Sequence, residues 1–230
     1  MQNLTTSMET QRKTIFPISY YQGQVENNER LKQDLLPFIE STKNTLTPPQ
    51  GWLTTKITTS HERDDINRFF MSQTELQRQY HNLIKTFFDN KFELEVDECW
   101  YNCYEDEEWQ ESHNHIGNPL DPNHFACVHF LCYDKKVHSP LTFADPMGII
   151  RSHSLEFDSH NYEETFSPDI TEGDLIMFPS YLMHEVKANK PTPGNPRISI
   201  AFNFAVRTFV NYDLQYHVST FSNIYQHISK

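Results

Sequence analysis

Three histidines and one arginine are the residues of this 230-residue chain whose types and spacing could do chemistry. His113 and His115 are two residues apart, and in an extended chain such positions project to the same face, so both imidazoles can reach one metal ion. His184 follows the apolar run 174–178 and a turn at Pro179, which places it at the head of a strand. Histidine is a common nitrogen ligand for transition metals. Together the three predict a metal centre, although each one alone is more often a surface or core histidine.

Arg197 begins a segment of strict alternation. One face carries the apolar side chains Ile198, Ile200, Phe202 and Phe204, and the other carries Arg197, Ser199, Ala201 and Asn203. A guanidinium buried on that polar face needs an anionic partner, because an unpaired buried charge is costly. The partner is either a carboxylate of the protein or a ligand dicarboxylate that Arg197 holds bidentately with help from the Ser199 hydroxyl. The residues alone leave both alternatives open.

Composition excludes several classes of function. The net charge is −12 and no basic stripe is present, which argues against a nucleic-acid partner. No apolar run is long enough for a membrane span, and residues 1–14 lack the apolar core of a signal peptide, so we expect a cytoplasmic protein. The four cysteines lack the tight spacing of a structural zinc site, which favours reduced buried thiols.

The elements that must position these residues are predicted to form a single domain over 1–230. Its N-terminal part, 1–91, contains an edge strand at 14–21, interrupted by a proline, and two supporting helices. The first helix begins at Asn27 or Asn28 and the second follows a capping box formed by Ser72 and Glu75. The segment 43–60 reads as a loop. The apolar stripe of the first helix consists of Leu31, Leu35, Phe38 and Ile39. That of the second consists of Leu76, Tyr80, Leu83, Ile84, Phe87 and Phe88.

From residue 92 onward the apolar period changes to two. Strands are predicted at 92–104, 125–133, 141–144, 174–178, 184–188 and 197–206. Two helices followed by many short strands indicate a mainly β core, 92–208, with helical support. The loops 119–124 and 149–169 are expected to rim the pocket mouth. The tail 209–230 is expected to pack on the core or on a second subunit, so a homodimer is one of the predicted arrangements.

The combined pattern resembles the iron(II)- and 2-oxoglutarate-dependent oxygenases. Their sequences carry a first histidine, a second ligand two residues later, a distal histidine and, about a dozen residues beyond, an R-x-S motif. The closest resemblance, over roughly 92–206, is to uncharacterised oxygenases of bacteria and their phages. The shared motifs are W-x-N at 100–102, H-x-H at 113–115, P-L-x-F-x-D-P at 140–146, G-x-L-x-x-F-P-S-x-x-x-H at 173–184 and R-I-S-x-x-F-N at 197–203.

This resemblance implies a double-stranded β-helix, a cupin-like jelly roll, and a set of site residues. Iron(II) would be held by His113, His115 and His184. 2-Oxoglutarate would be held by Arg197 and Ser199, with Asn102 and Asn203 as further contacts beside the iron. With O2, such an enzyme hydroxylates a C–H bond of a small-molecule or peptidyl substrate and releases succinate and CO2.

The second ligand position departs from the usual pattern, because most members of the superfamily carry Asp or Glu where this chain has His115. Either the triad is entirely histidine, or Glu111 or Asp145 supplies the carboxylate. Three neutral histidines give the iron one negative charge fewer than two histidines and a carboxylate would. Our interpretation favours three histidines, because the H-x-H motif is shared by the group that the chain resembles.

Two other classes of protein compete with this interpretation. One is a cupin-type three-histidine dioxygenase that needs no 2-oxoglutarate, and it leaves the R-x-S motif without a purpose. The other is a non-catalytic jelly-roll binding protein, which predicts that no metal is bound.

Overall fold

The computed structural model describes residues 18–54, 56–87, 92–118, 121–148, 164–188, 190 and 193–209. The helices are α1 (Asn28–Thr42), α2 (Asp64–Ser72) and α3 (Thr74–Phe87), with a 3-10 turn at Lys43–Thr45. The strands are β1 (Tyr21–Gln24), β2 (Thr58–Thr59), β3 (Phe92–Tyr104), β4 (Gln110–His113), β5 (Gly117–Asn118), β6 (Asp121–Pro122), β7 (Phe125–Cys132), β8 (Leu141–Ala144), β9 (Thr165–Phe166), β10 (Asp174–Pro179), β11 (His184–Val186) and β12 (Arg197–Phe209).

Two antiparallel sheets form the body of the fold. The main sheet has six strands in the order β1-β10-β7-β12-β3-β2, and the minor sheet has four in the order β4-β11-β8-β9. A two-stranded ribbon, β5-β6, lies beside them. The mainly β jelly roll with helical support that we expected is confirmed.

The alternation along β3 and β12 sorts side chains between two apolar cores on either side of the main sheet. Residues on the outer face pack with buried side chains of the three helices, and Tyr101, Ile200 and Phe202 are among them. Residues on the inner face, such as Tyr104, pack with members of the minor sheet such as Phe143. The inner face of β12 therefore looks into the space between the sheets, as its polar pattern predicted.

Several boundaries differ from the sequence predictions. Helix α2 was not predicted, and β2 and the 3-10 turn fall in the segment 43–60 that was predicted to be a loop. Ser72 is the last residue of α2, and its hydroxyl donates to the carbonyl oxygen of Phe69 at 2.7 Å, so it forms no capping box for α3. Strand β1 lies at an edge of the main sheet, but it spans Tyr21–Gln24 and shares only Tyr21 with the strand predicted at 14–21.

Some predictions fall on residues outside the described ranges. These are the residues before 18, Phe88, part of each rim loop and the tail beyond 209. The single-domain organisation of 1–230 and the packing of the tail therefore stay predictions. Among the described residues, no helix has the length and apolar character needed to cross a membrane.

Candidate metal centre and anion site

Pairing between β4 and β11 brings the three histidines together. His113, the last residue of β4, lies opposite His184, the first residue of β11. The chain then continues to His115, whose backbone N–H donates to the carbonyl oxygen of Ser180 at 2.8 Å. The possible ligand atoms of the three imidazoles all lie within 4.8 Å of one another. Among the described residues this is the group of nitrogen, sulfur and carboxylate donors that could hold a metal ion.

Hydrogen bonds fix the tautomers of two of these rings. The Nδ1 atom of His113 lies 2.7 Å from the carbonyl oxygen of Glu111, and Nδ1 of His184 lies 2.9 Å from that of Leu182. A carbonyl oxygen can only accept, so Nδ1 carries the hydrogen in both neutral rings. Each Nε2 atom is left with its lone pair, which is the form that binds a metal.

Burial keeps all three rings in this neutral form. Removal from water lowers the pKa of His115 to about 3 and lowers those of His113 and His184. The neighbouring imidazoles add to this effect for His115 and His184. Because a protonated imidazole cannot coordinate a metal, the lowered pKa values favour metal binding over a wide pH range.

Aromatic rings surround the triad. The indole of Trp100 stacks on His115 with ring centroids 5.7 Å apart, and the ring of Phe178 meets His184 edge-on at 4.7 Å. Trp52 lies 6.3 Å from His113. These rings shield the imidazoles from water, which strengthens electrostatic interactions within the site.

Arg197, at the start of β12, is buried and has no anionic partner among the residues that the structure describes. It is 1% exposed, and its guanidinium carbon lies 4.7 Å from the ring centroid of Tyr104 and 5.2 Å from that of Phe130. In the part of the chain that the structure describes, its Nε and Nη1 atoms have no hydrogen-bond partner. Burial lowers its pKa, but a guanidinium stays charged at neutral pH. The arrangement suits an anion that enters from outside the protein.

The other predicted co-substrate contacts lie along the same two strands. Ser199 is opposite Asn102 in the β12–β3 register, both are buried, and the Oδ1 atom of Asn102 has no partner among the described residues. Asn203 is different, because both ends of its amide are engaged. Its Oδ1 lies 2.8 Å from Nδ1 of His115, and its Nδ2 donates to Glu98 at 2.6 Å. A contact between Asn203 and the co-substrate stays a prediction.

Neither of the alternative carboxylate ligands joins the triad. The Oε1 atom of Glu111 accepts from the backbone N–H of Leu53 at 2.8 Å, and Oδ1 of Asp145 accepts from that of Met147 at 2.9 Å. Neither residue belongs to the group whose donor atoms converge. The geometry therefore favours three histidines over a set completed by a carboxylate.

Comparisons with known proteins find a family model over the segment that contains this site. Residues 98–203 match the family model described as "Putative 2OG-Fe(II) oxygenase". Over this stretch, the β core of this chain is similar to the 2OG-Fe(II) oxygenase family. No curated protein matches the sequence.

Solved structures resemble the fold of this chain at low sequence identity. The carbocyclase SnoK from nogalamycin biosynthesis is 12% identical with a TM-score of 0.56, over 88% of this chain and 86% of that one. HygX from Streptomyces hygroscopicus, bound to nickel, 2-oxoglutarate and hygromycin B, is 11% identical with a TM-score of 0.53, over 85% and 86%. A prolyl-4-hydroxylase from Pseudomonas putida is 13% identical with a TM-score of 0.50, over 83% and 94%.

The residues of the β core fit the iron and 2-oxoglutarate that the name of the matched family implies. Three imidazole nitrogens converge, and a buried guanidinium lies on the inner face of the same fold with two nitrogen atoms that no described residue hydrogen-bonds. Trp100, Asn102 and Glu111 contribute further buried polar atoms without partners among the described residues. Buried polar groups are normally hydrogen-bonded, so this set of exceptions fits the binding of a polar ligand among these residues.

Sequence reasoning missed several residues of the site. Trp100 and Tyr104 alternate with Asn102 on β3, so the period of two could have placed them on the inner face. Gln110 accepts from the Tyr104 hydroxyl at 2.6 Å, and its Nε2 lies 3.3 Å from Nε2 of His113. Glu98 carried no local signal, because it reaches the site only through a strand partner distant in sequence.

Proposed function

We propose that this chain is an Fe(II)- and 2-oxoglutarate-dependent dioxygenase that hydroxylates a C–H bond and releases succinate and CO2. The observation that carries the proposal is Arg197, a buried cation whose Nε and Nη1 atoms have no hydrogen-bond partner in the described part of the chain. It lies on the inner face of the strand that also holds Asn203 against His115. A dicarboxylate that binds a metal at one end and Arg197 at the other accounts for both features.

Each residue has a role in this proposal. His113, His115 and His184 would hold iron(II) through their Nε2 atoms. Bound iron(II) with 2-oxoglutarate supplies C–H oxidation coupled to decarboxylation of the co-substrate. Arg197 and Ser199 would bind the carboxylate far from the metal, and Asn102 would orient the co-substrate by a hydrogen bond. The aromatic rings around the triad would exclude water from the oxidant.

The same features weigh against the competing classes of protein. In a three-histidine dioxygenase that needs no 2-oxoglutarate, Arg197 would stay buried with two nitrogen atoms that no described residue hydrogen-bonds. Its burial would then destabilise the fold without serving a function. A binding protein without a metal has no use for three neutral imidazoles whose donor atoms converge.

The substrate class stays open between small molecules and peptides. The neighbouring structures include a prolyl-4-hydroxylase and an enzyme bound to hygromycin B, so the fold accommodates both classes in other proteins. For this chain, each of them is a proposal.

The function can be tested by anaerobic titration. Iron(II) and 2-oxoglutarate together should produce the visible metal-to-ligand charge-transfer band of their chelate, and O2 should then yield succinate. His184→Ala should lose both the band and the bound metal, because two remaining imidazoles hold iron weakly. His81→Ala, which removes an exposed histidine from α3, serves as the matched control and should leave the band intact.

Two outcomes would count against the proposal. Absence of the band at millimolar 2-oxoglutarate, in wild-type protein that does bind iron, would favour the three-histidine protein that needs no 2-oxoglutarate. Failure of the wild-type protein to bind any transition metal would favour the non-catalytic binding protein.

A further inference from the structure

The carboxylate of Glu98 is linked to the candidate metal ligand His115 through the side-chain amide of Asn203. Glu98 on β3 is opposite Asn203 on β12, and its Oε1 atom accepts from Asn203 Nδ2 at 2.6 Å. The other end of the same amide, Oδ1, lies 2.8 Å from Nδ1 of His115. The second oxygen of Glu98 lies 4.0 Å from Nε2 of His61.

His115 has two neutral forms that this environment could accept. In the first, Nδ1–H donates to Asn203 Oδ1 and the Nε2 lone pair faces the metal site. In the second, the amide of Asn203 is reversed, its NH2 donates to Nδ1, and Nε2–H donates to His184. Nε2 of His184 is 3.2 Å from Nε2 of His115, so this bond is geometrically available. The second form removes two of the three metal ligands at once.

Glu98 decides between these forms. A carboxylate only accepts hydrogen bonds, so the end of the amide that faces it at 2.6 Å must be the NH2 group. This orientation points Oδ1 at His115 and leaves the hydrogen on Nδ1. The reversed amide would place a carbonyl oxygen against a carboxylate, which is repulsive.

We propose that Glu98 is a positioning residue that, through Asn203, holds His115 in the form that binds metal. The inference rests on the proposed function, in that His115 is taken as an iron ligand. It also bears on the negative charge that is missing because the second ligand position holds His115 instead of a carboxylate. The negative charge that a carboxylate ligand would supply lies instead two hydrogen bonds away, where it increases the basicity of His115.

The test uses Co(II) alone as the probe, titrated into the full metal-free chain and followed by its visible absorption. Glu98→Gln keeps the size of the side chain but lets an amide NH2 face Asn203, so the reversed amide becomes acceptable. We expect the Co(II) affinity to fall by about 10–100-fold, as for other residues that orient metal ligands. Asp97→Asn removes the same charge from an exposed neighbour on β3 and should leave the affinity unchanged.

A second variant separates positioning from simple structural damage. In Glu98→Gln/Asn203→Asp the carboxylate moves to position 203, where it accepts from both the amide at position 98 and Nδ1–H of His115. This exchange restores the hydrogen-bond directions, and we expect it to recover most of the lost affinity. Thermal unfolding of each metal-free variant checks that the fold is retained.

The outcomes distinguish this inference from the proposed function. If Glu98→Gln binds Co(II) as wild type does, or if the double variant binds no better than Glu98→Gln, the positioning role is wrong while the metal site stands. If wild-type protein binds no Co(II), the metal site itself is wrong and the inference fails with it.

Discussion

At the scale of single residues, Arg197 carries a charge that the described part of the protein does not neutralise. The faces of Tyr104 and Phe130 offset part of its desolvation, since a desolvated cation–π contact contributes about 2 kcal/mol. The unpaired Nε and Nη1 atoms remain, and burial lowers the pKa of the group, which shows that the charged form is disfavoured here. If the proposed function is right, the cost of burying this charge is offset when 2-oxoglutarate binds.

We therefore expect Arg197→Met to separate binding from folding. Methionine fills the space without the charge, and replacing a buried charge by an apolar side chain is often neutral or stabilising. In wild-type protein loaded with Ni(II), 2-oxoglutarate at a hundred times its Kd should raise the free energy of unfolding by about 2.7 kcal/mol. The variant should lose this effect but keep its metal affinity, as measured by chemical unfolding with and without 2-oxoglutarate.

The contrary result has a clear meaning. A metal-free Arg197→Met protein that is less stable by about 3–5 kcal/mol would indicate that the guanidinium belongs to a protein ion pair. Arg197→Lys is the control, because it retains the charge and loses the planar fork. It should show an intermediate response to 2-oxoglutarate.

At the scale of elements, one turn ties the edge of the main sheet to α1. Gly173 precedes β10 with φ +87°, its N–H donates to Phe130, and its carbonyl oxygen accepts from Val25. A Cβ atom there would lie 2.9 Å from Oε1 of Gln24 and 3.3 Å from Cβ of Asn28. The Gln24 side chain cannot swing away freely, because it donates to Asp174 at 2.6 Å.

Gly173→Ala is accordingly expected to destabilise the protein in two ways. The left-handed backbone costs a non-glycine residue roughly 1–2 kcal/mol. The crowding adds about 1–3 kcal/mol, because α1 and Gln24 must shift. Gly194→Ala isolates the first effect, since Gly194 has φ +76° with open space around it. Urea unfolding should give the highest free energy of unfolding for wild type, a lower one for Gly194→Ala and the lowest for Gly173→Ala. An equal loss of free energy in the two variants would show that the structure relieves the crowding at Gly173.

The elements also show which parts of the fold the sequence reveals. Strands β3 and β12 alternate over long stretches, so their starts and faces were predicted correctly. Helix α2 was missed although Ile66 and Phe70 lie on one face, because it has only nine residues and no side-chain cap marks its start. Strand β4 has only four residues, which is too short for a clear period. The triad followed from local spacing, whereas the partner of Asn203 is Glu98, 105 residues away, and depends on a strand register that no local pattern determines.

At the scale of the whole molecule, the main sheet separates the metal site from a second buried histidine. His129 on β7 is fully buried on the helical side, where Tyr80 of α3 donates to its Nδ1 atom at 2.8 Å. Its Nε2–H donates to Asn28 at the start of α1 at 2.9 Å. One imidazole thus joins two helices to the centre of the sheet, and the hydrogen bond that Nδ1 accepts from Tyr80 requires its neutral form.

This arrangement should make the fold sensitive to acid. Burial lowers the pKa of His129 to about 3, whereas an unfolded chain takes up the proton near its ordinary value of about 6.5. The stability that neutral His129 contributes is complete above pH 6.5 and is lost as the pH falls towards 3, at up to about 1.4 kcal/mol per pH unit. His115 adds a loss of the same sign in the metal-free protein.

The contribution of His129 can be measured as proton uptake rather than as stability alone. The slope of unfolding free energy against pH, taken near pH 5 in metal-free protein, gives the number of protons bound on unfolding. His129→Gln should lower that number by about one, whatever its effect on stability at pH 8. His81→Gln, which alters an exposed histidine of α3, should change it far less. An imidazole that is already protonated in the folded state binds no further proton on unfolding. An unchanged slope in His129→Gln would therefore mean that His129 carries a charge inside the fold.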